Sequence, residues 1–165
     1  MISATPSAWR TTQRHDPSTT PNSQMKISAS GSRFISRGDE SGTHEMEKSY
    51  WKSAGIEPKG AWYVSAGQGM GPVLTMAAEL GAYALTDRAT YAAYRDRTGL
   101  QVLVEGDARM FNPYGVIVVN LQRYPKLNHA GAMAFADWIT SPEGRAAIAA
   151  FKINGVQMFF PNSAK

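Results

Sequence analysis

Cysteine is absent from all 165 residues. That excludes a disulfide scaffold, a thiolate nucleophile and any Cys-based zinc or iron–sulfur centre. It leaves the compartment open, because exported proteins can also lack cysteine. No apolar run approaches the ~20 residues a membrane-crossing helix needs. The start does not read as a secretion signal either, since no basic segment after Met1-Ile2 leads into an apolar stretch. Charge of one sign is scarce. Lys and Arg number 17 against 13 Asp and Glu, a net +4. Half of that excess lies in residues 1–30, where Arg10, Arg14 and Lys26 face Asp16. The rest is spread over residues 31–165 with no Lys/Arg cluster, which argues against nucleic acid as a partner.

Histidine is scarce too, with three in the chain. His15 falls in a polar head, His129 in a polar loop, and only His44 lies near a group of donors. There is no H-E-x-x-H, no G-x-S-x-G and no closely spaced His/carboxylate set. His44 with Ser41 and Asp39 would be the nearest thing to a hydrolytic triad. Side chains that close together at a helix start diverge, so the chain is expected not to be an enzyme and to hold no metal or cofactor.

What is present divides into two materials. Residues 1–30 include seventeen Ser, Thr, Pro, Asn or Gln, with Trp9 their one aromatic. Such a stretch buries too little apolar area to offset its ordering entropy, and it is expected to be a disordered leader. Pro6, Pro17 and Pro21 interrupt any amphipathic helix there. From Arg33 onward short apolar runs alternate with helical stretches. Strands are expected at 33–36, 62–64, 82–85, 101–104 and 114–119, the last apolar enough to be buried on both faces. Helices are expected from Ser41 to about Gly55, from Gly69 to Gly81, after Thr86-Asp87, at 130–139 and at 142–151. Ser41, Asp87 and Ser141-Pro142 supply the start signals. Phe135 and Trp138 read as core-facing positions of their helix. The alternation means α/β, with a mostly parallel sheet.

Three strand-to-helix turns carry the chemistry. Ser36-Arg37-Gly38-Asp39-Glu40-Ser41-Gly42-Thr43-His44 puts glycines, hydroxyls and one arginine at a helix N-terminus. Free N–H groups and the positive dipole end there attract anions, and the guanidinium adds a permanent forked charge. An ordinary capped helix with a surface arginine would look the same. Arg37-Gly38-Asp39 is an RGD tripeptide, but three residues occur by chance too often to mark adhesion. Ser65-Ala66-Gly67-Gln68-Gly69-Met70-Gly71 spaces three glycines so that backbone can wrap an anion. It is neither G-x-G-x-x-G nor a P-loop. In Leu85-Thr86-Asp87-Arg88, Thr86 can cap or donate.

These residues, in order, resemble the tungstate-binding proteins of bacterial ABC importers. The likeness runs from Phe34-Ile35-Ser36-Arg37-Gly38-Asp39-Glu40-Ser41-Gly42-Thr43-His44 through Trp51, Ala54-Gly55-Ile56 and Pro58-Lys59-Gly60. It continues in Gly67-Gln68-Gly69-Met70-Gly71, Tyr83-Ala84-Leu85-Thr86-Asp87-Arg88 and Leu103-Val104-Glu105-Gly106-Asp107. It closes with Asn112-Pro113-Tyr114-Gly115-Val116, Ser141-Pro142-Glu143-Gly144 and Phe159-Phe160-Pro161, covering roughly 32–163.

The resemblance implies a type II periplasmic binding-protein fold, here mostly one lobe plus part of the second. Residues 31–165 would be the C-terminal portion of a substrate-binding domain, truncated at its N-terminal side. It implies an oxyanion ligand, tungstate or molybdate, with an ABC permease as partner. The location it implies is periplasmic or extracellular; read as written, without a signal peptide, the chain would be cytoplasmic. Arg37 and Thr43 match the family's anion-holding positions. Ser36, Ser41 and Gly42 are added as neighbours, and Gln68, Gly69 and Thr86 as further contributors. The alternatives are a truncated fragment that no longer binds, or a phosphate- or sulfate-type binder. Tungstate and molybdate are fully deprotonated at neutral pH and only accept hydrogen bonds, so their site should consist of donors. Asp39 and Asp87 should then turn to backbone N–H or Arg partners. Family members also carry an N-terminal segment with a Thr/Ser-rich turn, which neither Thr11-Thr12 nor Thr19-Thr20 reproduces.

Overall fold

The structure, a computed structural model, describes residues 2–3 and 20–161 and divides into two compact units, Met1–Asn112 and Pro113–Lys165. In the first unit β1 (Ile2–Ser3) and α1 (Thr20–Ser30) precede three repeats of strand, turn and helix. These are β2 (Phe34–Ser36) with α2 (Gly42–Ser53), β3 (Tyr63–Ser65) with α3 (Met70–Glu79), and β4 (Tyr83–Ala84) with α4 (Arg88–Thr98). β5 (Gln101–Val102) follows. β2 lies between β3 and β4 and is parallel to both, pairing Ile35 with Val64 and with Ala84. β1 runs antiparallel between β4 and β5, so the sheet order is β3-β2-β4-β1-β5 and the sheet is mixed.

Alternation along β2 decides which helix covers which face. Ile35 points to one side and packs with Val73, Leu74 and Ala77 of α3, with Tyr91 and Tyr94 of α4 against them. Phe34 points to the other side, where it meets Tyr50 and Trp51 of α2 and Ile27 of α1. The Phe34 and Trp51 rings are edge-on at 5.1 Å, and Trp51 meets Trp62 at 5.5 Å. Parallel strands joined through helices on both faces place the N-termini of α2, α3 and α4 beside the carboxyl edge of one sheet. Ligands of such folds bind in that crevice.

Helix ends follow local chemistry. Ser41 caps α2 and accepts from the His44 N–H at 3.3 Å. Asp87 caps α4 and accepts from the N–H and hydroxyl of Thr90 at 2.8 and 2.7 Å. Gly99, with φ of 64°, ends α4 in the left-handed conformation. In the second unit α5 (His129–Thr140) and α6 (Pro142–Ala150) share Ser141, whose Oγ accepts from the Gly144 N–H at 3.1 Å.

The structure departs from the sequence reading in four places. Thr20–Ser30 is helical, where residues 1–30 were expected to lack structure. Its stability comes from docking rather than composition: Gln24 and Ile27 lie one turn apart and are both buried. Pro21 costs little in the first turn, where its missing N–H has no helical partner. Ile2–Ser3, from the same head, forms β1. Expectations for Trp9, Thr11, Thr12 and His15 lie outside the described residues.

Residues 114–119 are not a strand, and Val116, Ile117 and Val119 are exposed. A strand needs partner backbones, and among the described residues 115–119 make no hydrogen bond. Phe135 and Trp138 are 53% and 42% exposed rather than core-facing, because among the described residues no layer covers that side of α5. Finally, β6 (Lys152–Ile153) and β7 (Val156–Gln157) form an unforeseen hairpin. Its turn is Asn154-Gly155, both with positive φ, and that dipeptide is itself a hairpin signal.

Candidate functional site

The β2–α2 and β3–α3 turns are built against each other. The Ala66 N–H donates to the Ser36 carbonyl at 3.0 Å, and the Gln68 N–H donates to the Arg37 carbonyl at 3.1 Å. Gly38 lies in the left-handed region, and a Cβ there would fall 2.0 Å from Ser65 Oγ. Only glycine serves both demands, which is how the sequence brings the two loops together.

Arg37 is one-fifth exposed, and its Nε donates to Asp39 Oδ2 at 3.0 Å. Asp39 Oδ1 accepts from the Ser41 N–H at 3.2 Å. Burial alone would raise the Asp39 pKa, but hydrogen bonds from Ser41 and Arg37 outweigh it and hold the carboxyl at about 2. Asp87 is taken up entirely by Thr90. Both carboxylates thus have partners of their own, as a donor-only site requires.

The α2 N-terminus supplies open donors. Ser41 Oγ and the Ser41 carbonyl take up the N–H groups of His44 and Glu45. The N–H groups of Gly42 and Thr43 remain without a partner among the described residues, as does the half-buried Thr43 hydroxyl. Glu40, with φ of 58°, turns the loop into the helix, and its N–H donates to His44 Nδ1 at 3.0 Å. Gln68 and Gly69 are exposed at the start of α3. Thr86 lies in the adjoining β4–α4 turn, where its hydroxyl donates to the Asp87 carbonyl at 3.1 Å. Ser36 is fully buried on the Phe34 face of β2, its Oγ without a hydrogen-bond partner. It sits beneath the loop surface rather than on it.

The sequence reading missed the support under this site. Glu47 is 2% exposed, and its Oε1 accepts from Trp51 Nε1 at 3.0 Å and from the Tyr63 hydroxyl at 2.8 Å. Its signal was an acid among the apolar positions Met46, Tyr50 and Trp51. Burial raises the Glu47 pKa above its ordinary 4.5, and the hydrogen bonds from Tyr63 and Trp51 only partly offset this. Below pH 4.5 both folded and unfolded states are protonated, and the contribution to stability is fully present. As pH rises, the unfolded state ionises first, so stability falls until the folded carboxyl ionises too. Glu47→Gln keeps an acceptor and removes that fall. Urea unfolding from pH 4 to 8 should show the wild type losing stability relative to the variant over this window. A constant difference between the two would remove Glu47 as the cause.

Among the described residues no group of three His, Asp or Glu is placed to hold a metal ion, and no helix is long and apolar enough to cross a membrane.

Residues 10–143 match the model of a PBP superfamily domain. The chain is 46% identical over 142 residues to a tungstate-binding protein of Peptoclostridium acidaminophilum, covering 85% of this chain and 50% of that protein. It is 39% identical over 131 residues to a tungstate-binding protein of Campylobacter jejuni, covering 76% and 49%. The crystal structure of the tungstate ABC transporter from Geobacter sulfurreducens superposes with a TM-score of 0.76 at 43% identity, covering 91% of this chain and 63% of that one. The chain spans about half the length of the curated relatives it matches.

Proposed function

The chain belongs to the PBP superfamily, and from that membership we propose that it is an oxyanion-binding component of an ABC importer, with tungstate or molybdate as ligand. The observation that carries this reading is a cluster of donors at the N-terminus of α2, where the Asp39 carboxylate is already held by Arg37 and the Ser41 N–H. Arg37, the Gly42 and Thr43 N–H groups and the Thr43 hydroxyl form the centre. Ser41 has its hydroxyl proton to give, and Gln68 and Gly69 approach from the β3–α3 turn. Ser36 and Thr86 support the first turn and the neighbouring one. Residues 31–165 act as the C-terminal portion of the binding domain. Its work is capture and delivery to a permease outside the cytoplasm, and no bond of the ligand is made or broken.

Tetrahedral dianions without protons suit such a site. Hydrogen phosphate would leave its own proton without an acceptor, because Asp39 and Asp87 are already engaged. Calorimetric titration at neutral pH should give heat with tungstate and molybdate, less with the smaller sulfate and least with phosphate. A phosphate response as strong as that of tungstate would overturn the donor-only site. Silence with all four would remove oxyanion capture by this chain.

A further inference from the structure

Glu47 follows Thr43 by one turn of α2, and side chains four residues apart share a helix face. Cα–Cβ bonds tilt toward the helix N-terminus, so a side chain at 47 leans back toward the open N–H groups of Gly42 and Thr43. Glu47 is 2% exposed, and a charge so buried is poorly screened by salt. A dianion held at those N–H groups would lie about one turn from this carboxyl. Like charges that close, in a protein interior of effective dielectric ~20, oppose each other strongly.

The surroundings of this carboxyl suit both of its protonation states. Oε1 accepts from Trp51 Nε1 at 3.0 Å and from the Tyr63 hydroxyl at 2.8 Å, and such donors support the ionised form. Burial supports the neutral form and outweighs them, raising the pKa. Ser36 acts on the same carboxyl from β2, and its Oγ is fully buried with no hydrogen-bond partner of its own. A hydroxyl gives a hydrogen bond to a carboxylate or takes one from the acid, so Ser36 serves either state. Glu47 is thus placed to titrate where it stands.

We infer that the proton on Glu47 sets the affinity of the oxyanion site. The neutral carboxyl admits a dianion at the α2 N-terminus and the carboxylate opposes it, so the bound dianion in turn holds the proton on Glu47. The coupling rests on the oxyanion-binding reading of this site, and not on which tetrahedral dianion is bound. Other groups around Glu47 leave it distinct. Burial raises the Tyr63 pKa, so this phenol of β3 stays protonated. Glu45 raises the Lys48 pKa, so this amine of α2 stays charged. Past the end of β2, Arg37 is paired with an ionised Asp39. α1 packs on α2 and brings the uncharged Gln24, buried, and Lys26, exposed. His44 acts on Glu47 through its charge and is common to wild type and any Glu47 variant, so its effect cancels in their ratio.

The test is calorimetric titration of the full chain and of Glu47→Gln with tungstate, kept dilute so that it stays monomeric, from about pH 5.5 to 8.5. Glutamine keeps an acceptor for Trp51 and Tyr63 and stays neutral, and far-UV circular dichroism checks the fold. Below the Glu47 pKa of the free protein the wild-type affinity is full. It falls as pH rises through that value, because the free state ionises first. Relative to the variant, the wild type should lose affinity at least about tenfold across the range. Buffers of different ionisation enthalpy should also show wild-type binding taking up a fraction of a proton that the variant does not. A merely structural Glu47 would shift affinity by one factor at every pH, and a constant ratio with equal proton uptake overturns the coupling alone. Silence with tungstate in both proteins at every pH overturns the oxyanion reading and the coupling with it. If Glu47→Gln does not fold, the wild type decides. Its Glu47 carboxyl carbon-13 resonance should titrate at higher pH with tungstate bound, and an unmoved titration overturns the coupling.

Discussion

Replacing Trp51 with alanine should cost the first unit about 3–5 kcal/mol, the range for emptying an aromatic site in a packed core. Trp51 is 1% exposed and edge-on to both Phe34 and Trp62. The loss is compounded by polarity. The Trp51 indole N–H donates to Glu47 Oε1, and alanine would leave a buried carboxyl with the Tyr63 hydroxyl as its remaining partner there. A loss of that size is a large part of the ~5–15 kcal/mol that holds a domain folded.

The consequence reaches the proposed anion site, because Tyr50 and Trp51 are what dock α2 on the sheet. The open N–H groups of Gly42 and Thr43 lie at the other end of the same helix. Trp51→Phe keeps a ring against Phe34 and gives up the indole donor, so it should fall between wild type and alanine. Urea unfolding followed by far-UV circular dichroism reads the difference. A shift of less than about 1 kcal/mol for Trp51→Ala would mean the site collapses around the gap, and that α2 is held by something else.

How much of this was visible in the sequence depends on how local the cause is. Ser41, Asp87 and Ser141-Pro142 act within one helical turn, and the helices start where those residues direct. The three strand-to-helix turns were legible for the same reason, and Asp39 turns to an arginine and a backbone N–H as expected. What was hidden is nonlocal. α1 exists because Gln24 and Ile27 find a place to be buried, which composition does not report. The contact of Gly38 with Ser65, and that of Glu47 with Tyr63, join separate strand–helix repeats. At 114–119 the apolar pattern pointed to a buried strand, and the structure has none there: among the described residues 115–119 make no hydrogen bond. The Asn154-Gly155 hairpin differs in kind: its signal was local, and it was overlooked.

Arg37→Ala should weaken tungstate binding by about 10–150-fold, the range for losing one charge-assisted hydrogen bond of about 1.5–3 kcal/mol. Asp39 does not disqualify Arg37 from the site; it aims the guanidinium. Both hydrogen bonds from Arg37 go to the same oxygen, Asp39 Oδ2, while Oδ1 is held by the Ser41 N–H. With its pKa held at about 2, Asp39 stays ionised throughout the neutral range. A guanidinium has five N–H donors in a fixed fork, so two bound to Asp39 leave others for a ligand oxygen. The pair thus fixes the cation beside the open end of α2 without exhausting it. Arg37→Lys keeps the charge and loses the fork, so its affinity should lie between those of wild type and alanine. The ion pair is partly exposed and two residues apart in sequence, so its removal should change stability by about 1 kcal/mol or less. Titration calorimetry with tungstate, paired with a thermal melt of each variant, separates the two effects. Unchanged affinity in Arg37→Ala would take Arg37 out of the site and leave the α2 N-terminus to hold the dianion alone.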